Sequence, residues 1–161
     1  MDFFNPLAIL VAAASSLVVG FIWYNPKVFG TAWIKAAGMT EEKMKSGNMA
    51  VIFGLALVFA AMLSLQLMQM TNHQIGALGM IGGELEKAKP SYEAFMADYG
   101  TAYRTFKHGA FHGFIAGILV VFPILGTNAL FERKGAKYIF INAGFWTICL
   151  TIMGAILCGW H

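Results

Sequence analysis

The chain has 161 residues, 58% of them apolar and only 12% charged, with a mean hydropathy of +0.66. Soluble domains carry about 25% charged residues, so this composition excludes an ordinary water-soluble enzyme and points to lipid as the solvent. The length allows one domain, and a formal net charge of +3 is too small and too scattered for a nucleic-acid-binding surface.

The N-terminus, Met1-Asp2-Phe3-Phe4, lacks the positive stretch of a secretory signal. Ala12-Ala13-Ala14 offers a small-residue cleavage pattern, yet the first apolar segment is expected to stay on the protein. A spanning helix needs about 20 mainly apolar residues. Four segments meet that length, at roughly 6–24, 48–71, 108–131 and 137–160. The acids Asp2, Glu41, Glu42, Glu84, Glu86, Glu93, Asp98 and Glu132 all fall in connections or at a terminus. The expected fold is therefore all-α: one integral membrane four-helix bundle over residues 1–161, with short interfacial helices in the first and second connections.

In chain order, Asn5-Pro6 supplies a capping side chain followed by proline at the first helical position, where a missing N–H does no harm. Asn25-Pro26 repeats the device. It should end the first span at Tyr24 and start a short helix to about Ala37, with Gly38 as its cap. Phe29 and Trp33 lie four apart on one face of that helix, which suits the membrane interface. Thr40 caps a polar turn at residues 41–45. In the long connection 72–107, the glycine-rich residues 75–83 read as an irregular loop. Pro90-Ser91 then opens a helix whose aromatics, Tyr92, Phe95, Tyr99, Tyr103 and Phe106, form one stripe. Such a stripe suits a helix lying among headgroups, or a lid or partner surface. Pro123 should kink the third span. Residues 131–137 make a tight hairpin in which Gly135 is free to take a positive φ.

Helices in lipid are held together where small residues let backbones approach. Three stripes answer to that: Ala12, Ser16 and Gly20; Gly109, Gly113 and Gly117; Ala143, Thr147, Thr151, Ala155 and Gly159. Each could be a seam within the bundle or between subunits. Cys149 and Cys158, nine residues apart on one helix, point to opposite faces and cannot bridge each other. On the face of the first and third connections lie Lys27, Lys35, Lys43, Lys45, Arg133, Lys134 and Lys137, against Lys87, Lys89, Arg104 and Lys107 on the other. The positive-inside rule then puts both termini outside the cytoplasm.

Two polar groups remain. Tyr24, Asn25, Asn128, Glu132, Arg133 and Asn142 gather at one end, either as a small-molecule or ion site or as caps, aromatic belt and solvated turn. Asn128 and Asn142, each seven residues from Gly135, are expected to hydrogen-bond across the hairpin. At the other end His73 closes the second span, His108 and His112 open the third, and Cys158 and His161 close the fourth. Two histidines four apart share a helix face, so His108 and His112 with His73 or His161 suit a zinc or copper ion. Glu84, Glu93 and Asp98 are available as outer acceptors. The same histidines also suit plain interfacial positions. No metalloprotease, nucleophile-elbow or phosphate-loop pattern is present, so no catalytic residue and no organic cofactor is assigned.

Asn5-Pro6-Leu7, Trp23-Tyr24-Asn25-Pro26 with Phe29-Gly30 and Trp33, residues 128–133, 141–146 and 154–157 resemble one family of small bacterial membrane proteins. That family is catalogued only as a domain of unknown function. The resemblance covers the first forty or so residues and the last fifty-five, and implies a four-helix membrane domain without an established activity. The reading is a non-enzymatic multi-pass protein of the bacterial inner membrane, partnered by the bilayer and by other copies or other membrane proteins in a complex. The alternative is a small oligomeric transporter or channel, with Gln66, Gln69, Thr147 and Thr151 lining the path. A metal-binding membrane enzyme is the third reading.

Overall fold

The computed structural model describes residues 4–160 of the protein. Asn5 begins it as a cap: its Oδ1 accepts from the Ala8 N–H at 3.0 Å and starts α1 (Pro6–Trp23). The second cap acts differently from expectation. Asn25 Oδ1 accepts from the Lys27 N–H, and its carbonyl accepts from the N–H groups of Val28 and Gly30. Residues 26–29 are thereby folded into a turn, and α2 is confined to Gly30–Ala37. Only glycine fits at position 30, because a Cβ there would meet the Tyr24 carbonyl. Gly38 closes α2 at φ 70°, as its lack of a Cβ allows.

Thr40 caps α3 (Glu41–Ser46) through the Lys43 N–H, and Asn48 caps α4 (Met49–Thr71) through the Val51 N–H. The segment expected to be an irregular loop is largely helical, as α5 (His73–Met80). Gly76 and Gly79 sit within α5, at a cost of only about 1 kcal/mol each in a helix, and the break falls instead at Gly82 and Gly83, both at positive φ. Proline starts α6 (Pro90–Tyr99) as anticipated. The helix stops at Gly100, so Tyr103 and Phe106 leave its aromatic stripe; Tyr103 sits in a turn and Phe106 begins α7 (Phe106–Ala116).

The third span continues from α7 through a π-helical turn, Gly117–Val121, into α8 (Phe122–Phe131). Pro123 has no N–H to give, and the turn before it widens so that the Phe122 N–H reaches the Gly117 carbonyl five residues back. The kink expected at proline is realised as this bulge. After the hairpin, α9 (Ala136–Gly159) runs the length of the bundle and packs against α1, α4 and, most extensively, α7.

Glycine sets the α7–α9 distance. A Cβ on Gly109 would strike the Gly154 carbonyl, and one on Gly113 the Leu150 carbonyl; on Gly117 it would lie 2.6 Å from the Thr147 Cα. The expected α9 ridge is thus corrected to Thr147, Leu150, Gly154 and Cys158. Steps of three and four hold a straight line on a helix of 3.6 residues per turn, whereas repeated steps of four drift about 40° each. Gly159 rotates off that line to lie under the Phe106 ring. On α1, Ala12 and Ser16 are buried, and Gly20 faces the Phe145 ring.

Among the described residues, four helical spans are long and apolar enough to cross a bilayer: Pro6–Trp23, Met49–Thr71, Phe106–Phe131 and Ala136–Gly159. Large apolar side chains such as Phe21, Leu119 and Phe140 point outward from them. This is a multi-pass membrane protein, an inside-out pattern that water would not tolerate over so large an area.

Candidate metal centre

The backbone between α4 and α5 is broken by Asn72, extended at φ −107°, ψ 91° and 1% exposed. Its amide donates to the Leu157 carbonyl on α9 at 3.4 Å, which pins the break to the bundle. His73 therefore starts α5 at a fixed place. The neighbouring Gln74, also buried, donates to the carbonyls of Tyr99 and Ala102 at 2.9 and 2.8 Å and ties α5 to the end of α6. Tyr103 then turns the chain at φ 62°. Its carbonyl lies 3.4 Å from the buried Cys158 thiol, which stands at the same distance from the Thr71 carbonyl and can share its S–H between them. Thr105 caps α7 by accepting from the His108 N–H.

These devices bring His73 on α5 against His108 and His112, one turn apart on α7. Each contributes a ring nitrogen, and the three nitrogens lie within 4.8 Å of one another. The Nε2 atoms of His73 and His108 are 3.0 Å apart. Ring centroids are 5.0 Å apart for His73 with His108, 5.0 Å for His73 with His112 and 4.5 Å for His108 with His112. Tetrahedral zinc holds imidazole nitrogens at about 2.0–2.1 Å, which spaces neighbouring ligands by roughly 3.3 Å. The His73–His108 edge is already close to that figure. Two neutral rings at this distance share one hydrogen bond, donor to acceptor; both lone pairs turned inward would instead form one edge of a coordination shell. His73 is exposed while His108 and His112 are half-buried, so the cluster is open at the surface of the bundle.

Of the expected ligand set, His73, His108 and His112 come together, and His161 lies outside the described residues. Glu84, Glu93 and Asp98 are exposed on the connection and do not join the cluster; Glu84 pairs with Lys87. Gln74 and Tyr103 were not marked by the sequence. The first sat in an apparent loop, and the second was counted in a helical stripe that ends before it.

At the opposite end the expected group separates. Asn142 Oδ1 accepts from the Tyr24 hydroxyl at 3.0 Å and the Trp33 indole N–H at 3.2 Å, and its amide donates to the Tyr138 carbonyl. The second amide N–H of Asn142 does not reach Asn128, and the expected Asn128–Asn142 bond is absent. Ala129 is the residue buried against the bundle, and Asn128, one position away, is exposed, as are Glu132 and Arg133. Lys134 is the cation that engages here, donating to the Ala37 carbonyl at 2.6 Å. Asn25 borders an apolar cleft of about 600 Å³ between α1, α4 and α9. Gln66 and Gln69 are exposed on α4, whereas Thr147 and Thr151 bond to carbonyls of their own helix. These four side chains do not line one path within the chain.

No curated protein and no solved structure matches the chain. A family model described as "Protein of unknown function (DUF1761)" matches residues 7–158. With nearly the whole four-span bundle inside that match, the chain belongs to this family.

Proposed function

We propose that the protein is a metal-binding subunit of the bacterial inner membrane, holding a zinc or copper ion on His73, His108 and His112. The convergence of three imidazole nitrogens within 4.8 Å supports this reading. Neutral imidazole is a favoured ligand for both ions, and a helix repeat of four residues presents two rings to one ion. Among the described residues the cluster consists of three imidazoles, which leave a fourth position on a tetrahedral ion for water or another ligand. The chain works within an oligomer or a larger membrane assembly. The Lys and Arg asymmetry favours an orientation with both termini and the histidine end outside the cytoplasm. Thiol labelling of a Met44→Cys variant, at an exposed position of the first connection, from the cytoplasmic side only is the expected result, and labelling from the outside only reverses the assignment.

Elemental analysis tests the metal reading. Protein purified without a polyhistidine tag, exposed to zinc or copper and desalted, should retain roughly one ion per chain. The His108→Ala, His112→Ala double variant should retain almost none. Equal metal in the two proteins, or far less than one ion in the wild type, overturns the proposal.

A further inference from the structure

One face of α4 is fixed inside the bundle by Ala60, Ser64, Leu67, Met68 and Thr71. The opposite face carries Leu55, Phe59, Met62, Gln66 and Gln69, all exposed, in steps of four, three, four and three. That spacing averages 3.5 residues, the repeat of two helices packed side by side at a shallow left-handed crossing. Gln66 within this otherwise apolar stripe is out of place against lipid, whereas Gln69, two residues from the end of α4, stands near the headgroup boundary. Gln66 lies five residues from the end of α4, about 7.5 Å along the axis, in a helix of about 34 Å crossing a hydrocarbon layer of about 30 Å. Neither amide has a partner among the described residues. Hydrocarbon offers none, and leaving an amide unbonded there is costly.

We infer that this stripe is the contact between two copies of the chain. Copies inserted in the same orientation can be related by a two-fold axis only along the membrane normal, which makes their α4 helices parallel and level. Each residue of the stripe then faces its own counterpart: Gln66 meets Gln66 and Gln69 meets Gln69. A glutamine amide both donates and accepts, so such a pair satisfies itself, as polar residues between membrane helices do. A lone polar position in a heptad seam also fixes register and copy number. The inference goes beyond the metal reading and does not depend on it.

Disulfide trapping in native membranes tests the geometry. The wild type serves as the blank, since Cys149 and Cys158 are both 0% exposed. Met62→Cys, which leaves both glutamines in place, should give a disulfide-linked dimer on mild oxidation. Leu119→Cys, on an equally exposed surface of the third span, should not. In vesicles, energy transfer between labelled copies should show the Gln66→Leu, Gln69→Leu variant associating roughly tenfold more weakly than the wild type. The leucines suit lipid, so that variant is expected to fold, and an unchanged thermal midpoint of the monomer checks it. No Met62→Cys dimer, a crosslink to a different protein, or unchanged association of the leucine variant each overturns the inference.

Discussion

A residue at positive φ brings its Cβ against its own carbonyl oxygen, which is why glycine usually fills such positions. Among the described residues, two that are not glycine accept the conformation, Tyr103 at φ 62° and Arg133 at φ 59°. Arg133 does so as the residue following the cap of α8. Its N–H bonds to the Leu130 carbonyl and that of Lys134 to the Ala129 carbonyl, the paired bonds of a glycine-type helix ending. The sequence pointed to Gly135 for this role. Gly135 instead stands at φ −79° as the residue before α9, because the helix ending is set by where α8 runs out of carbonyl partners, two residues earlier. Arg133 is exposed and holds no partner that glycine would lose. Arg133→Gly should therefore stabilise the protein by about 1 kcal/mol, read as a higher unfolding midpoint in detergent. A lower midpoint would mean that the arginine side chain matters more than its backbone strain. Tyr103 is a different case, since its ring stands 5.2 Å from that of His108 and its carbonyl receives Cys158. Strain there is tied to the position of the histidines.

Between elements, glycine acts in two opposite senses along the third span. Gly113 lies against the α9 backbone with no room for a methyl group, whereas a Cβ on Gly126 would find Ile139 at an ordinary 3.8 Å. Gly113→Ala must push α7 from α9 and should destabilise by about 1–3 kcal/mol. Gly126→Ala relieves glycine's helix penalty without a clash and should be neutral or stabilise by up to about 1 kcal/mol. Thermal unfolding of the two variants side by side should show a loss for Gly113→Ala and none for Gly126→Ala; a loss at both sites would show that the two glycines do the same job. Element boundaries were legible wherever a side chain and a proline or glycine marked them, as at Asn5-Pro6, Thr40, Gly38 and Pro90. They were illegible at residues 75–83. There, glycines suggested a loop, but each costs a helix only about 1 kcal/mol, and Gly76 and Gly79 keep helical geometry within α5. Asn25-Pro26 misled for a local reason, since Asn25 spent its hydrogen bonds on a turn instead of a helix start.

At the scale of the molecule, the four spans follow from apolar length alone, and the arrangement around α9 follows from where the small residues lie. The histidine cluster was half legible. Residue type and membrane level could be read from the chain, since His73, His108 and His112 each stand near a span end. Their convergence could not, because it depends on Asn72 breaking the helix at one place and on α4 and α7 adjoining in the bundle. The Asn128–Asn142 pairing failed on the same kind of fact: Gly117 faces Thr147 and Gly126 faces Ile139, a register that sets Asn142 well away from the level of Asn128, and the rotation of α8 put Ala129, not Asn128, toward its neighbours. The account stands on the three imidazoles sharing an ion. X-ray absorption at the zinc edge, on zinc-loaded protein in lipid nanodiscs, tests that most directly. Three imidazole nitrogens at about 2.0–2.1 Å are expected in the first shell, falling to two in the His73→Ala variant. A first shell of oxygen alone, with no imidazole scattering behind it, would contradict the account.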